Sequence, residues 1–161
     1  MDVAEAIRTR RHIKLFKPDP VDMDKVQAWL EAASYAPNHR LNEPWEILVV
    51  GEQTRQAINH GPNFGNAPLV LAILSKRAEK QVDRDENLIA VSCFIQNFSL
   101  LAHAEGVGVR WTSVGWGDPA RQALGVDDSY DVVNILGVGY PAEVPQVRER
   151  TPITEKIRQL P

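Results

Sequence analysis

A chain of 161 residues, 43% hydrophobic and 24% charged, has the composition of one globular domain spanning residues 1–161. A single cysteine, Cys93, rules out an intrachain disulfide, and four histidines without a His-x-x-x-His pair make metal catalysis a poor fit. The net charge of −3 is uneven: five basic and two acidic residues leave the first 17 positions at +3 and the remainder at −6.

That local basic cluster suits one compact anion better than a nucleic-acid track, which needs a broad basic face. A solvated helix end complementing the macrodipole would show the same charges. No apolar run approaches the roughly 20 residues of a bilayer crossing. The opening MDVAEAIRTRR carries acids and lacks the layout of a signal peptide. The expectation is a cytoplasmic protein with no membrane and no nucleic-acid partner.

In chain order, Val3, Ala6 and Ile7 space a short first helix over residues 2–10. HIKLFKPDPV must then run extended, because Pro18 and Pro20 forbid a continuing helix. Asp22 or Asp24 can cap a second helix with Val26, Trp29, Leu30 and Ala33 inward, ended by Pro37. WEILVVG reads as a buried strand, EQTRQAIN as a short helix, HGPNFGNAP as a loop and LVLAILS as a second buried strand.

Residues 79–105 form the longest helical pattern, with Leu88, Val91, Phe94, Ile95, Phe98, Leu101 and Ala102 near one face and Gly106 as the C-terminal stop. Cys93 within it reads as a buried thiol. From Leu88 to Ala104 this helix is apolar nearly all round, so it needs a second apolar wall, such as a subunit interface. VGVRWTSV is a third strand, DPARQALG a helix capped by Asp118 and ended by Gly125, and DVVNILGVG a fourth strand. The proline-punctuated segment from Tyr140 runs extended to a last turn in ITEKIRQLP. The alternation is not strict βαβ, so the fold class is α+β, a sheet layered with helices.

No Gly-x-Gly-x-x-Gly follows a strand, and neither a Walker A nor a Gly-x-Ser-x-Gly sequence occurs. Three features carry chemistry. In RTRRHIKLF, helix gives way to extended chain, where alternate side chains share a side, so His12 and Lys14 can converge while arginine offers its planar fork. In YAPNHRLNEPW, Asn38 and His39 can donate hydrogen bonds and Trp45 offers a flat face; Asn38 as a helix stop and Trp45 as core filling are the plainer roles. RWTSVGWG ends a strand in hydroxyl residues and glycines that let backbone approach a ligand, or simply turn the chain.

Together these features resemble the nitroreductase family of FMN-dependent oxidoreductases, most closely its compact members. The family's Arg-Arg-Ser-x-Arg/Lys-x-Phe signature stands here as Arg10-Arg11-His12-Ile13-Lys14-Leu15-Phe16, followed by Pro20-Val21. Ala32-Ala33-Ser34-Tyr35-Ala36-Pro37, Glu43-Pro44-Trp45, Asn66-Ala67-Pro68 and LGVGYPAE continue the likeness in order along nearly the whole chain. Departures are clear. His12 replaces the serine, Leu41 the loop asparagine, and Glu43 the glutamine. The Glu-Gly pair has no counterpart near Trp111, and the stretch between Gly61 and Ala67 is too short to place the usual contacts.

The resemblance implies a nitroreductase-like sheet sandwich, an intertwined homodimer with two FMN sites at its interface. Arg10, Arg11, His12 and Lys14 would hold the phosphate and pyrimidine end from one subunit, and Tyr35 and His39 would reach the flavin from the other. Thr112, Ser113 and Val114 would line the ring edge, with Arg148 and Arg150 gripping the phosphate. NAD(P)H would reduce the flavin at N5, and a nitroaromatic, a quinone or a similar acceptor would reoxidise it in a ping-pong cycle, with no catalytic protein nucleophile or acid. A positive charge at Lys14 would favour the anionic reduced flavin. Alternatives are a flavin storage protein without turnover, a relative acting on a specific metabolite, and a basic-patch interaction protein without a cofactor.

Overall fold

A computed structural model describes residues 1–161. Its frame is a four-stranded antiparallel sheet in the order β1-β2-β4-β3. The strands are β1 Trp45–Val49, β2 Leu69–Lys76, β3 Gly108–Thr112 and β4 Tyr130–Gly139. Six helical segments surround it: α1 Val3–Thr9, α2 Met23–Ala33, α3 Glu52–Ile58, α4 Asn63–Asn66, α5 Gln81–Ala104 and α6 Asp118–Leu124. The α+β expectation holds.

The strand period of two sorts β2 cleanly. Leu69, Leu71 and Ile73 face a core shared with α2 and α5, while Val70, Ala72 and Leu74 face a second core with Ile58, Phe64 and Ala120. Seven of its eight residues are buried. β4 follows the same alternation until a bulge between the Ile73–Asn134 and Leu74–Val132 pairs shifts its register by one residue. β1 is different: the sequence reads as a buried strand, yet β1 lies at the sheet edge with every residue half-buried or exposed. Short apolar runs do not distinguish central from edge strands.

Segment 12–17 runs extended, as the prolines require, and seals the other edge. Ile13 N–H donates to Val109 O at 3.3 Å, Phe16 N–H to Gly65 O at 2.9 Å and Lys17 N–H to Tyr140 O at 2.8 Å. α2 starts with the Asp22 carboxylate accepting from Asp24 N–H. At α6, by contrast, Asp118 is already inside the first turn and Gly117 occupies the cap position without a side-chain bond.

By length and composition α5 could cross a membrane, contrary to the expectation that no segment comes close. Here it is a core helix: Val91, Phe94, Ile95, Phe98 and Ala102 are at most 1% exposed, and Trp45 stacks on Phe94 at 5.1 Å. Leu88 and Leu101, expected on the same face, are only half-buried. Gly106, at φ +80°, terminates it as anticipated, with Val107 N–H donating to Ala102 O. One flank stays uncovered. A groove of about 350 Å³ between α1 and α5 is lined by Val3, Ala6, Leu100 and Leu101, and Val3, Ile7 and Ile89 are each more than half exposed. No element of the chain supplies the second apolar wall.

Candidate functional site

α1 ends at Arg10, where the backbone turns from helical to extended. Arg10 is half-buried, and its Nε is fully enclosed without a hydrogen-bond partner. Burial, then Arg11, then Arg150 depress the proton affinity of its guanidinium. The C-terminal tail therefore brings Arg150 within electrostatic reach of Arg10, although the two are 140 positions apart. Arg148 is exposed and makes no ion pair. Arg11 Nη1 donates to the carbonyls of Arg8 and Arg10 at 2.8 and 2.9 Å, which anchors the turn.

Beyond the turn, His12 and Lys14 project to one side and Ile13 to the other, as extended chain dictates. Ile13 is 3% exposed and lines a cavity of about 350 Å³ with Arg10, Ser99 and His103; His12 and Lys14 do not border it. His12 Nδ1 accepts from Trp111 N–H at 3.4 Å, leaving Nε2 as the ring's donor in the neutral form. Burial, then Arg110, Lys14 and Arg10 hold the His12 imidazole below the usual histidine range.

Two residues that sequence reasoning missed complete this half of the site. Arg110 Nη1 donates to Lys14 O at 3.0 Å, and its Nη2 lies 3.4 Å from His60 Nε2. The available signal was the period of two in GVRWT: Trp111 points to α5, where Nε1 donates to Ser99, so Arg110 must face the other way. His60 precedes α4, whose residues Asn63, Phe64, Gly65 and Asn66 all take positive φ. The asparagines and glycine of HGPNFGNAP are residue types that tolerate positive φ, but no local pattern announces four such residues in succession. Arg10, Arg11, Lys14, Arg110 and Arg150 share this region, and no carboxylate pairs with any of them. Uncompensated like charges make this region attractive to an anion, and the fork geometry of arginine fits phosphate oxygens.

β3 leads from this cluster to the other expected ring-edge residues. Ser113 is exposed and Val114 half-buried at the strand's end. Thr112 is buried and committed inward: its hydroxyl donates to Ile135 O and its N–H to Asn134 Oδ1, both at 2.8 Å. Its side chain therefore braces β3 against β4.

Tyr35 and His39 lie elsewhere. His39 Nδ1 is 3.6 Å from Glu86 Oε2, and Asn42 Nδ2 donates to Asn87, both near the start of α5. At the other end of α5, Thr9 Oγ1 is 2.8 Å from His103 Nε2. Glu86 and His103 are 17 residues apart, about 25 Å of helix. Tyr35 is 91% exposed with nothing over its ring. Asn38 serves the loop itself, its Nδ2 donating to Ala36 O and its Oδ1 accepting from Glu43 N–H. That frees His39 and Tyr35, and not Asn38, for a ligand.

The structure is an α+β protein, a helix-layered antiparallel sheet with a cluster of basic side chains, free of ion pairs, beside one sheet edge. Known proteins narrow the class. The sequence profile of the nitroreductase family matches residues 7–62 and 59–140. A Bacillus subtilis protein named as the NAD(P)H nitroreductase YfhC is 32% identical, covering 97% of this chain and 93% of its own length. The crystal structure of a nitroreductase-like family protein from Bacillus cereus superimposes with a TM-score of 0.91 at 28% identity, over 99% of this chain and 96% of that one. A Desulfovibrio desulfuricans nitroreductase solved in complex with FMN superimposes with a TM-score of 0.81 at 24% identity, over 100% and 98% of the two chains. The chain belongs to the nitroreductase family of oxidoreductases.

Proposed function

We propose that this protein is an FMN-dependent NAD(P)H oxidoreductase, a single FMN-binding domain working as a homodimer. One observation supports the reading: the candidate residues fall at opposite ends of α5, His39 beside Glu86 and the Thr9–Arg10 turn beside His103, with about 25 Å of helix between them. A second copy related by a two-fold axis sets the His39 end of one chain against the Arg10 end of the other. It also covers the groove between α1 and α5 with apolar surface.

The donor set fits the cofactor. Arg10, Arg11 and the tail residues Arg148 and Arg150 meet the phosphate, and no carboxylate competes for the Arg10 guanidinium. His12 Nε2–H donates where the family signature has a serine hydroxyl. Lys14 places positive charge against the pyrimidine end, the position where reduction adds negative charge. Thr112 acts through the fold, so Ser113 and Val114 provide the ring-edge contacts. Tyr35 and His39 of the second chain close the cleft and exclude water. Bound FMN would supply the redox chemistry, hydride transfer between NAD(P)H and an oxidised acceptor such as a nitroaromatic or quinone in a ping-pong cycle.

Chain mixing tests the composite site. Arg10→Glu and His39→Ala variants each bind FMN poorly; unfolded and refolded together, they form mixed dimers in which one site has both halves intact. Recovery of about half the wild-type flavin in the mixed fraction supports the arrangement, and no recovery in demonstrably mixed dimers refutes it. Bleaching of the flavin band by NADH or NADPH without oxygen then separates a reductase from a storage protein. A Lys14→Ala variant with unchanged flavin potential and reduction rate would remove that residue from its role.

A further inference from the structure

Three segments far apart in sequence meet at one carbonyl oxygen, that of Lys14. Arg110, from β3, donates Nη1 to it at 3.0 Å and sends Nη2 to within 3.4 Å of His60 Nε2. Gly65, in the left-handed turn, approaches the same carbonyl so closely that a Cβ there would clash with it and lie 2.9 Å from Arg110 Nη1. Phe16 N–H completes the knot by donating to Gly65 O at 2.9 Å. Arg110 makes no ion pair, so its orientation rests on these two hydrogen bonds.

We propose that Arg110 is a positioning residue of the flavin site, a two-ended bridge that locks segment 12–14 to the 60–66 turn and so aims His12 and Lys14 at the ligand. The inference rests on the FMN reading above and deepens it. Three observations favour a positioning role over simple surface charge. A guanidinium can bridge two acceptors in one plane, which a lysine ammonium on a flexible stem does poorly. The Lys14 carbonyl it grips belongs to the residue whose side chain carries the proposed charge. The turn at the other end holds Phe64 at positive φ between asparagines, and a bulky residue keeps that conformation only where its surroundings over-determine it.

Arg110 also sets the chemistry of His12. Charged groups reach that ring from three directions: Arg110 from β3, Lys14 from the same segment and Arg10 from the end of α1, after burial itself. With Nδ1 engaged by Trp111 N–H, the neutral ring keeps a defined donor at Nε2. Losing the Arg110 charge lets His12 take a second proton more readily, and losing the bridge lets segment 12–14 drift.

The test compares the wild-type protein with Arg110→Gln, Arg110→Lys and His60→Gln variants, all checked for folding by urea unfolding. Imidazole NMR titration of His12 is recorded on the FMN-free protein, and FMN dissociation constants are measured by quenching of flavin fluorescence. In Arg110→Gln the His12 midpoint rises and FMN binds about tenfold more weakly, the equivalent of one charge-assisted hydrogen bond. Arg110→Lys restores the His12 midpoint while leaving FMN binding weakened, since charge returns without the bridge. His60→Gln weakens FMN binding with a smaller effect on His12. Wild-type FMN affinity in Arg110→Gln, or full restoration of affinity by lysine, overturns the bridge while leaving the flavin reading intact. Failure of the wild-type protein to take up FMN overturns both.

Discussion

Gly65→Ala probes the junction directly, because two independent penalties meet there and two other glycines separate them. Gly65 sits at φ +79°, where an L-residue costs about 1–2 kcal/mol. Its new Cβ would also press on the Lys14 carbonyl, backbone that cannot swing away, and on Arg110 Nη1. Relieving that contact breaks the Arg110–Lys14 and Phe16–Gly65 hydrogen bonds, roughly 2–3 kcal/mol together. The expected total is about 3–5 kcal/mol. Gly106→Ala carries the first penalty alone, since Gly106 has φ +80° with nothing within 4 Å of a Cβ, so about 1–2 kcal/mol is expected. Gly61→Ala has neither and should fall within about 0.5 kcal/mol of wild type. The assay is urea unfolding of the FMN-free protein at one fixed concentration, read as midpoint shifts at constant slope. If Gly65→Ala costs no more than Gly106→Ala, the close approach to Lys14 is not a constraint and the junction argument fails.

Val3→Asp, on the uncovered flank of α1, should change the unfolding free energy of one chain by less than about 0.5 kcal/mol yet yield monomers without flavin in sedimentation; a variant that stays dimeric and yellow would contradict the interface. Burial raises the Asp131 carboxyl, but hydrogen bonds and charge from Arg84 and Arg77 outweigh it and hold the group below its usual range. Its stabilisation is thus complete above about pH 4 and lost as pH falls through the lower folded value. Asp131→Asn should cost about 1–3 kcal/mol at pH 7 and flatten the acid limb of the stability curve. His12, His60 and His103 are all held below the histidine range, by burial first and then by neighbouring cations. The unfolded chain then binds protons before the folded one, so FMN-free protein should lose thermal stability as pH drops below about 6.5. A flat melting temperature between pH 7.5 and 5.5 would count against that cluster.

Much of this protein is legible locally. The period of two in LVLAILS, the apolar spacing of residues 81–104, the stop at Gly106 and the prolines after Phe16 each act within a few residues, so a sequence window contains their cause. The edge position of β1 is not legible locally because edge or centre depends on what pairs with the strand, and the cap of α6 falls on Gly117, one position before Asp118. His12, Lys14 and Arg10 were recognisable as a cluster because they are adjacent in the chain. Arg110 and His60 were not, since only the register of segment 12–16 along β3 and the fold of α4 bring them to Lys14.

The sequence alone determined the alternation of elements, the family likeness and the basic turn after α1, all consequences of short-range sterics and side-chain periodicity. Tertiary structure alone decided that Gly65 and Arg110 converge on the Lys14 carbonyl, with His60 at the other end of Arg110, while His39 is carried to the far end of α5. Such through-space meetings follow from strand pairing and helix packing over tens of residues, and no local pattern encodes them.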